Sequence, residues 1–344
     1  MKIKICFEFR YSNFGFIKME TVTPDFIRSN LYRPPKESHK GQNGKLTIVG
    51  GSKLFHGASL WALKVASRIV DMVYYASVLE NLELVKDLEK NLYDFIAVPL
   101  GKEADYIAES DAVLIGPGMV RGEAEESGTG ESGEETKLRA LSLLHQFPQK
   151  KWILDAGVLQ VIEVEELKKL GQVIVTPHAK EFENLFEGEL SNIAIKPQKD
   201  FSNSSHRLIQ PGSESGNQRG RQYSDKAIEQ LSEQVKDKAK QYGCIVVLKG
   251  KTDIICAPDG KCLLNETGNE GMTKGGTGDV LAGLIAALAC KNELFVAAAA
   301  GTYINGLAGN ELYQKVGPYF NASDLANQIP QTLAEVGNLT HMLR

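Results

Sequence analysis

Leu46-Thr47-Ile48-Val49-Gly50-Gly51-Ser52 is a short apolar run broken off by two glycines. Such a run suits a buried strand entering a tight turn. The residues after it predict a helix from about Gly57 to Tyr75, because Leu60, Leu63, Ile69, Val70 and Val73 recur at three- and four-residue steps. This strand-turn-helix unit then repeats along the chain. Asp94 to Val98, Ala112 to Ile115, Trp152 to Leu154 and Val173 to Val175 are short and continuously apolar, as expected of parallel strands buried on both faces. The stretches at about 136–147 and 159–171 have helical spacing. The alternation predicts an α/β fold, a doubly wound and mostly parallel sheet flanked by helices. Ile245 to Leu248, Ile254 to Ala257 and Lys261 to Leu264 lie close together around Pro258-Asp259-Gly260, which predicts an antiparallel hairpin at one edge. Two long helices are expected after it, from about Asp279 to Cys290 and Leu294 to Lys315.

The chain has 344 residues, enough for one large α/β domain or two smaller ones. Residues 1–22 are expected to be a detachable, poorly ordered extension, with Met19 a second candidate start, and residues 23–344 a single domain. Mobile loops are expected near 120–136, where Gly122 to Glu135 holds six glutamates, and near 188–224, where Gly188 to Tyr223 is rich in Ser, Gln, Gly and Arg. A formal charge of −4 argues against a nucleic-acid partner. No apolar stretch reaches the roughly 18 residues that span a bilayer, and Met1 to Ile17 lacks a signal peptide's apolar core. The five cysteines, Cys6, Cys244, Cys256, Cys262 and Cys290, include no CxxC pair and are read as reduced thiols of a cytoplasmic protein.

In open parallel sheets, ligands bind beyond the carboxyl ends of the strands. The candidate loops are therefore Gly50 to Ser52, Gly116-Pro117-Gly118, Asp155-Ala156-Gly157, Thr176-Pro177-His178, Lys249-Gly250-Lys251 and Gly275 to Asp279. The last, Gly275-Gly276-Thr277-Gly278-Asp279, enters an apolar helix directly, so its free N–H groups and the positive helix end make an anion site. Asp279 at that mouth can take a proton from a hydroxyl that attacks a phosphoryl group, or it can cap the helix. Asp155 is a ligand-side carboxylate or a cap. His178, with Glu181 three residues on, is a helix start or a polar group facing the crevice. Walker A is absent, since Ile245 stands five before Gly250, and the dinucleotide fingerprint fails at Leu281. No histidine pair suggests a transition-metal site.

His39-Lys40-Gly41, Gly50 to Ser52, Gly57-Ala58, Gly116 to Gly118, Thr176 to His178 with Glu181, Lys249-Gly250, Thr267-Gly268-Asn269 and Gly275 to Gly283 occur in an order that resembles the ADP- or ATP-dependent NAD(P)H-hydrate dehydratases. That family is similar in fold to the ribokinase-like kinases, and the resemblance spans about residues 23–330. It implies repair of hydrated NADH and NADPH (NADHX, NADPHX) by phosphorylation of the C6 hydroxyl and phosphate elimination, with Asp279 as general base. It further implies that Ala58, Gly118, His178 and Asp279 contact the hydrate, and that Lys249, Gly250, Lys251, Thr252, Asp253 and Gly278 contact ADP or ATP, with Mg²⁺ on the phosphates. Gly275, Gly276, Thr277 and Gly278 would form the anion hole. No membrane partner is implied; a homo-oligomer, up to a tetramer, and a separate epimerase protein are. The sequence departs from the family at Gly157, at Met119-Val120, at Asp253 and in the stretch 188–223. Two alternatives stay open: a ribokinase-like kinase acting on a vitamin precursor or sugar hydroxyl, which keeps the phosphate on its product, and a nucleotide sensor that binds without turnover.

Overall fold

The computed structural model describes residues 19–88, 94–122, 130–187, 190 and 215–337, with backbone alone for 86–88 and 215–225. In chain order the elements are α1 (Pro24–Asn30), β1 (Lys45–Val49), α2 (His56–Ala66), β2 (Met72–Ala76), α3 (Leu79–Leu88), β3 (Ile96–Ala97), α4 (Glu103–Glu109), β4 (Ala112–Ile115), α5 (Gly133–Gln146) and β5 (Lys151–Leu154). They continue with β6 (Gln172–Val175), α6 (Ala179–Phe186), α7 (Ser215–Tyr242), β7 (Ile245–Leu248), β8 (Asp253–Cys256), β9 (Cys262–Asn265), α8 (Thr277–Ala289), α9 (Leu294–Val316) and α10 (Ala322–Val336). The strands form one nine-stranded sheet in the order β3-β2-β1-β4-β5-β6-β7-β8-β9. Pairing is parallel from β3 through β7, and antiparallel for β7–β8 and β8–β9.

Alternate residues of each strand serve opposite faces, as a two-residue period dictates. Leu46, Ile48, Leu114, Ile153 and Val247 pack with α2, α8, α9 and α10. Val49, Val113, Trp152, Val175 and Val246 pack on the other side with α4, α5, α6 and α7. Helix α8 is the central element of the first layer, and every residue from Val280 to Ala289 is buried. Gly283 lets it press on α2, since a Cβ there would lie 2.6 Å from the Ala62 Cα. Lys151 Nζ donates to the carbonyls of Ala289 and Asn292, both at 3.0 Å, and so ties down the far end of α8.

Several expectations change. The predicted helix to Tyr75 stops at Ala66, and Met72–Ala76 is instead strand β2, all but its first residue buried beside β1. The stretch 159–171 forms two short 3₁₀ turns, Val158–Gln160 and Val164–Lys169, and not an α-helix. Helix α10 went unread, although Asn321 and Asp324 form a reciprocal N-terminal capping box. The expected acidic loop lies outside the described residues at 123–129. Its last residues open α5, capped by Ser132 and Glu135, and Gly133 N donates to Gly122 O across its base. Most of the stretch 188–223 is likewise outside the described residues, but 215–223 are already helical, extending α7 with the good helix formers Gln and Arg. Of the expected extension 1–22, residues 1–18 lie outside the described residues; in the described part Val22 N donates to Leu264 O, Leu264 N donates to Glu20 O, and Val22 joins the core.

The cysteine reading is corrected too. Cys256 and Cys262 face one another across the β8–β9 register and form a disulfide. A search for CxxC spacing overlooks cross-strand neighbours, which a hairpin brings to 4.2 Å between Cα atoms. Cys244 and Cys290 are free and buried; Cys6 lies outside the described residues.

Candidate active site

The chain winds out from β1 to β2 and β3, then returns to β4 on the other side of β1, so the sheet's switch point lies between β1 and β4. The loops after these two strands meet closely. Gly51 N donates to Pro117 O at 2.7 Å. Gly118 has φ +72, and a Cβ there would sit 2.3 Å from Phe55 O and 3.1 Å from the Ala58 Cβ. Gly118 and Ala58 are thus brought together, with Ala58 on the first turn of α2.

A second cluster forms over β5, β6 and β7. Asp155, only 1% exposed, directly follows β5. Its Oδ1 accepts from Thr176 Oγ1 at 2.8 Å and from Lys249 Nζ at 2.8 Å. Thr176 and Lys249 directly follow β6 and β7, whose ends are joined by Lys249 N donating to Pro177 O at 2.9 Å. Glu181, 4% exposed, places Oε2 4.0 Å from Lys249 Nζ. His178 caps α6 reciprocally with Glu181: His178 N donates to Glu181 Oε2 at 2.9 Å and Glu181 N to His178 Nδ1 at 3.3 Å. The His178 side chain remains half exposed, with Nε2 3.4 Å from Glu181 Oε1. The helix-start reading of His178 is the one this geometry shows.

Helix α8 completes the cluster. Its N-cap is Gly276, with φ +95, and Asp279 occupies the third helical position. Asp279 is therefore not the N-cap residue, although its carboxylate still accepts a backbone N–H of the first turn. Lys249 Nζ would lie 3.7 Å from a Cβ on Gly278, so the ammonium stands against the first turn of α8. Burial and the Asp155 carboxylate push the Asp279 carboxyl up to about 7, against the lowering effect of Lys249; Glu181 adds to the rise. Burial lowers the proton affinity of Lys249, but Asp155 and Glu181 outweigh it and hold that affinity above the usual lysine range. Three carboxylates surround one cation. Such a site favours a proton on Asp279 in the ground state and still lets it ionise near neutrality.

The predicted anion loop divides into distinct jobs. A Cβ on Gly275 would meet nothing within 4 Å, so that position is open. A Cβ on Gly276 would strike the Trp61 ring at 2.4 Å, so this glycine serves packing between α8 and α2. The Thr277 hydroxyl turns inward to Met272 O at 2.7 Å and Lys274 O at 2.9 Å. At the start of α8, Thr277 N donates back to Lys274 O at 3.4 Å, while the N–H groups of Gly278 and Asp279 precede any acceptor one turn further back in the helix. In the predicted nucleotide segment, Asp253 is committed to structure: Oδ1 accepts from Gly250 N at 3.0 Å and Oδ2 from Asn265 Nδ2 at 3.0 Å. Lys251 is exposed and Thr252 half-buried in the turn that Asp253 holds. What sequence reasoning missed is the convergence of Asp155 and Thr176 on Lys249; the signal available was that each directly follows a strand.

Comparison with known proteins bears on this site. The family described as NAD(P)H-hydrate dehydratase matches residues 46–214 and 217–331. A bifunctional NAD(P)H-hydrate repair enzyme from Methanocaldococcus jannaschii is 33% identical over 314 residues, covering 88% of this chain and 50% of that one. The chain thus spans about half the length of the first curated relatives it matches. An ADP-dependent (S)-NAD(P)H-hydrate dehydratase from Nitrosopumilus maritimus is 32% identical over 316 residues, covering 90% of this chain and 95% of that one. Two solved structures share the fold. The ADP/ATP-dependent NAD(P)H-hydrate dehydratase of Bacillus subtilis, co-crystallised with ATP and Mg²⁺, has a TM-score of 0.68 at 24% identity, covering 93% of this chain and 99% of that one. A ribokinase-like superfamily protein from Enterococcus faecalis has a TM-score of 0.66 at 20% identity, covering 95% and 99%. The chain belongs to the NAD(P)H-hydrate dehydratase family.

Proposed function

We propose that this protein removes water from hydrated NADH or NADPH at the expense of ADP or ATP, restoring the dihydronicotinamide cofactor. The observation that carries the reading is Asp279 on the first turn of α8 beside the Lys249 ammonium, a base and a cation at one anion-binding helix end. The near-complete coverage of the N. maritimus dehydratase supports it.

In this reading the C6 hydroxyl oxygen of the hydrate attacks the terminal phosphorus of the nucleotide. The hydroxyl proton passes to Asp279, and the bond between phosphorus and the leaving nucleotide oxygen breaks. The C6–O bond then breaks with its electron pair leaving on phosphate, pushed by the lone pair of the ring nitrogen. Loss of the C5 proton restores the ring double bond. Lys249 and the N–H groups of the first α8 turn stabilise charge on the transferred group. Ala58, Gly118 and His178 line the hydrate side. Lys249 to Thr252 and Gly278 line the nucleotide side, with Asp253 acting through the turn it holds. Gly275 to Gly278 supply the anion hole through their backbone.

Magnesium would neutralise charge on the phosphates. Among the described residues, no group of three or more His, Cys, Asp or Glu side chains is arranged to hold a metal. The ion would therefore be carried by phosphate oxygens and water. Among the described residues, no helix is long and apolar enough to cross a membrane. The reading includes a cytoplasmic homo-oligomer working beside a separate epimerase; relatives about twice the matched length are named bifunctional NAD(P)H-hydrate repair enzymes.

The test is an absorbance assay with hydrated NADH and NADPH, Mg²⁺, and ADP or ATP in turn. Return of the dihydronicotinamide band, dependent on nucleotide and lost in Asp279→Asn, is expected. A stable phosphorylated product, formed with no return of that band, would shift the assignment to a kinase.

A further inference from the structure

Asp155 is built into the site with unusual care for a residue that merely follows a strand. Its neighbour Ala156 has φ +51, a left-handed conformation that a residue with a Cβ adopts only at a cost. A Cβ on Gly116 would lie 1.9 Å from Asp155 O, so the loop after β4 closes directly onto this backbone. Thr176, itself fully buried, spends its hydroxyl on Asp155. A carboxylate this buried requires a partner, and the cation it holds is Lys249 of the site. A lysine has a flexible four-carbon stem and three rotatable donors. Left to itself, the ammonium would sample many positions around the mouth of α8.

We propose that Asp155 is a positioning residue for the reaction: held by Thr176, its carboxylate fixes the Lys249 ammonium against the first turn of α8, where the transferred phosphoryl group would lie. This rests on the dehydratase reading above. The competing account is a buried ion pair that only stabilises the fold, but buried pairs are a weak source of stability. The pair here also points its cation at the helix end that carries the general base.

Asp155→Asn tests the assignment, because the amide oxygen can still accept from Thr176 and Lys249 while the charge is gone. The expected result is a fall in kcat of roughly 10- to 100-fold, as for a misplaced catalytic group, with KM for the hydrate little changed. The charged groups facing Asp279 are Asp155 after β5, Lys249 after β7 and Glu181 on α6. Removing one of the two carboxylates moves the acid limb of the pH–rate profile to lower pH. Asp155→Glu should recover part of kcat and return the limb toward its original position. Thr176→Val, a milder change, should show a smaller fall in kcat and serves if Asp155→Asn does not fold.

A purely structural Asp155 would lower stability and leave kcat where it was at a pH well above the acid limb, and that outcome overturns the proposal. Titration of the Asp279 carboxyl by carbon NMR in the substrate-free wild type and Asp155→Asn separates the two readings, since it needs no turnover. A shifted titration in a protein inactive on both hydrates would sink the dehydratase reading and leave the Asp155 coupling standing. An unshifted one in an active enzyme sinks the coupling alone.

Discussion

Replacing Asp279, the proposed general base, should make this protein more stable. Burial and the Asp155 charge push the Asp279 carboxyl from 3.8 to about 7. Between those values the native chain holds a proton there that the unfolded chain has released. The native state therefore loses stability as pH rises through that window, and the loss is complete above it. A difference of about 3 pK units at 1.36 kcal/mol each gives about 4 kcal/mol at most. Asp279→Asn removes this term, in which the attraction to Lys249 is already counted, but leaves a buried amide in its place. A net gain of about 2–3 kcal/mol at pH 8 is the expected outcome, shrinking toward nothing near pH 4, with turnover abolished and nucleotide binding retained. Urea unfolding followed by tryptophan fluorescence across pH 4–9 would measure it. A variant less stable than wild type at pH 8, or one whose gain is the same at pH 4 and pH 8, refutes the claim that Asp279 is an uncomfortable buried charge.

Other perturbations have equally definite outcomes. Lys249→Met leaves Asp155, Glu181 and Asp279 without their cation; turnover should fall by roughly 100-fold or more, stability by about 3–5 kcal/mol, and the acid limb of the pH–rate profile should move up, since Lys249 is what lowers the Asp279 pKa. Gly283→Ala drives a Cβ to 2.6 Å from the Ala62 Cα, and thermal unfolding should report a loss of about 1–3 kcal/mol. Replacing both Cys256 and Cys262 by serine opens a link of sequence separation 6, which should lower stability by about 2 kcal/mol in denaturant unfolding. The same double substitution should abolish the difference between reduced and non-reduced samples.

The sheet was legible where a strand is an unbroken β-branched run bounded by glycine or a turn signal, as in β1, β4, β5, β6 and the β7–β9 hairpin. It failed at β2, because Ile69, Val70 and Val73 continue the helical spacing of α2 with no glycine or proline between them. There the pairing of Met72–Ala76 with β1 overrides local periodicity. Helix α10 carried a readable Asn321–Asp324 cap, but it holds Pro330 within its length, and that residue argues against a helix when the chain is read locally. In the site, Asp279, Lys249 and His178 were legible as polar residues following strands or opening a helix. The bond from Asp155 to Lys249 was not, because it joins residues 94 positions apart and depends on strand order. The inward turn of Thr277 and the packing duty of Gly276 were equally hidden, since a glycine-rich loop looks the same whether its glycines face ligand or a tryptophan ring.

The pairing of residues 20–22 with β9 bears on how the sheet ends. An edge strand offers a row of unsatisfied backbone donors and acceptors to any other chain that can pair with it. Here Glu20 and Val22 bond to Leu264 of that edge through one isolated bridge, so the chain itself satisfies the backbone of that residue. Removing residues 19–22 would bare Leu264 and leave a border that invites strand exchange between copies.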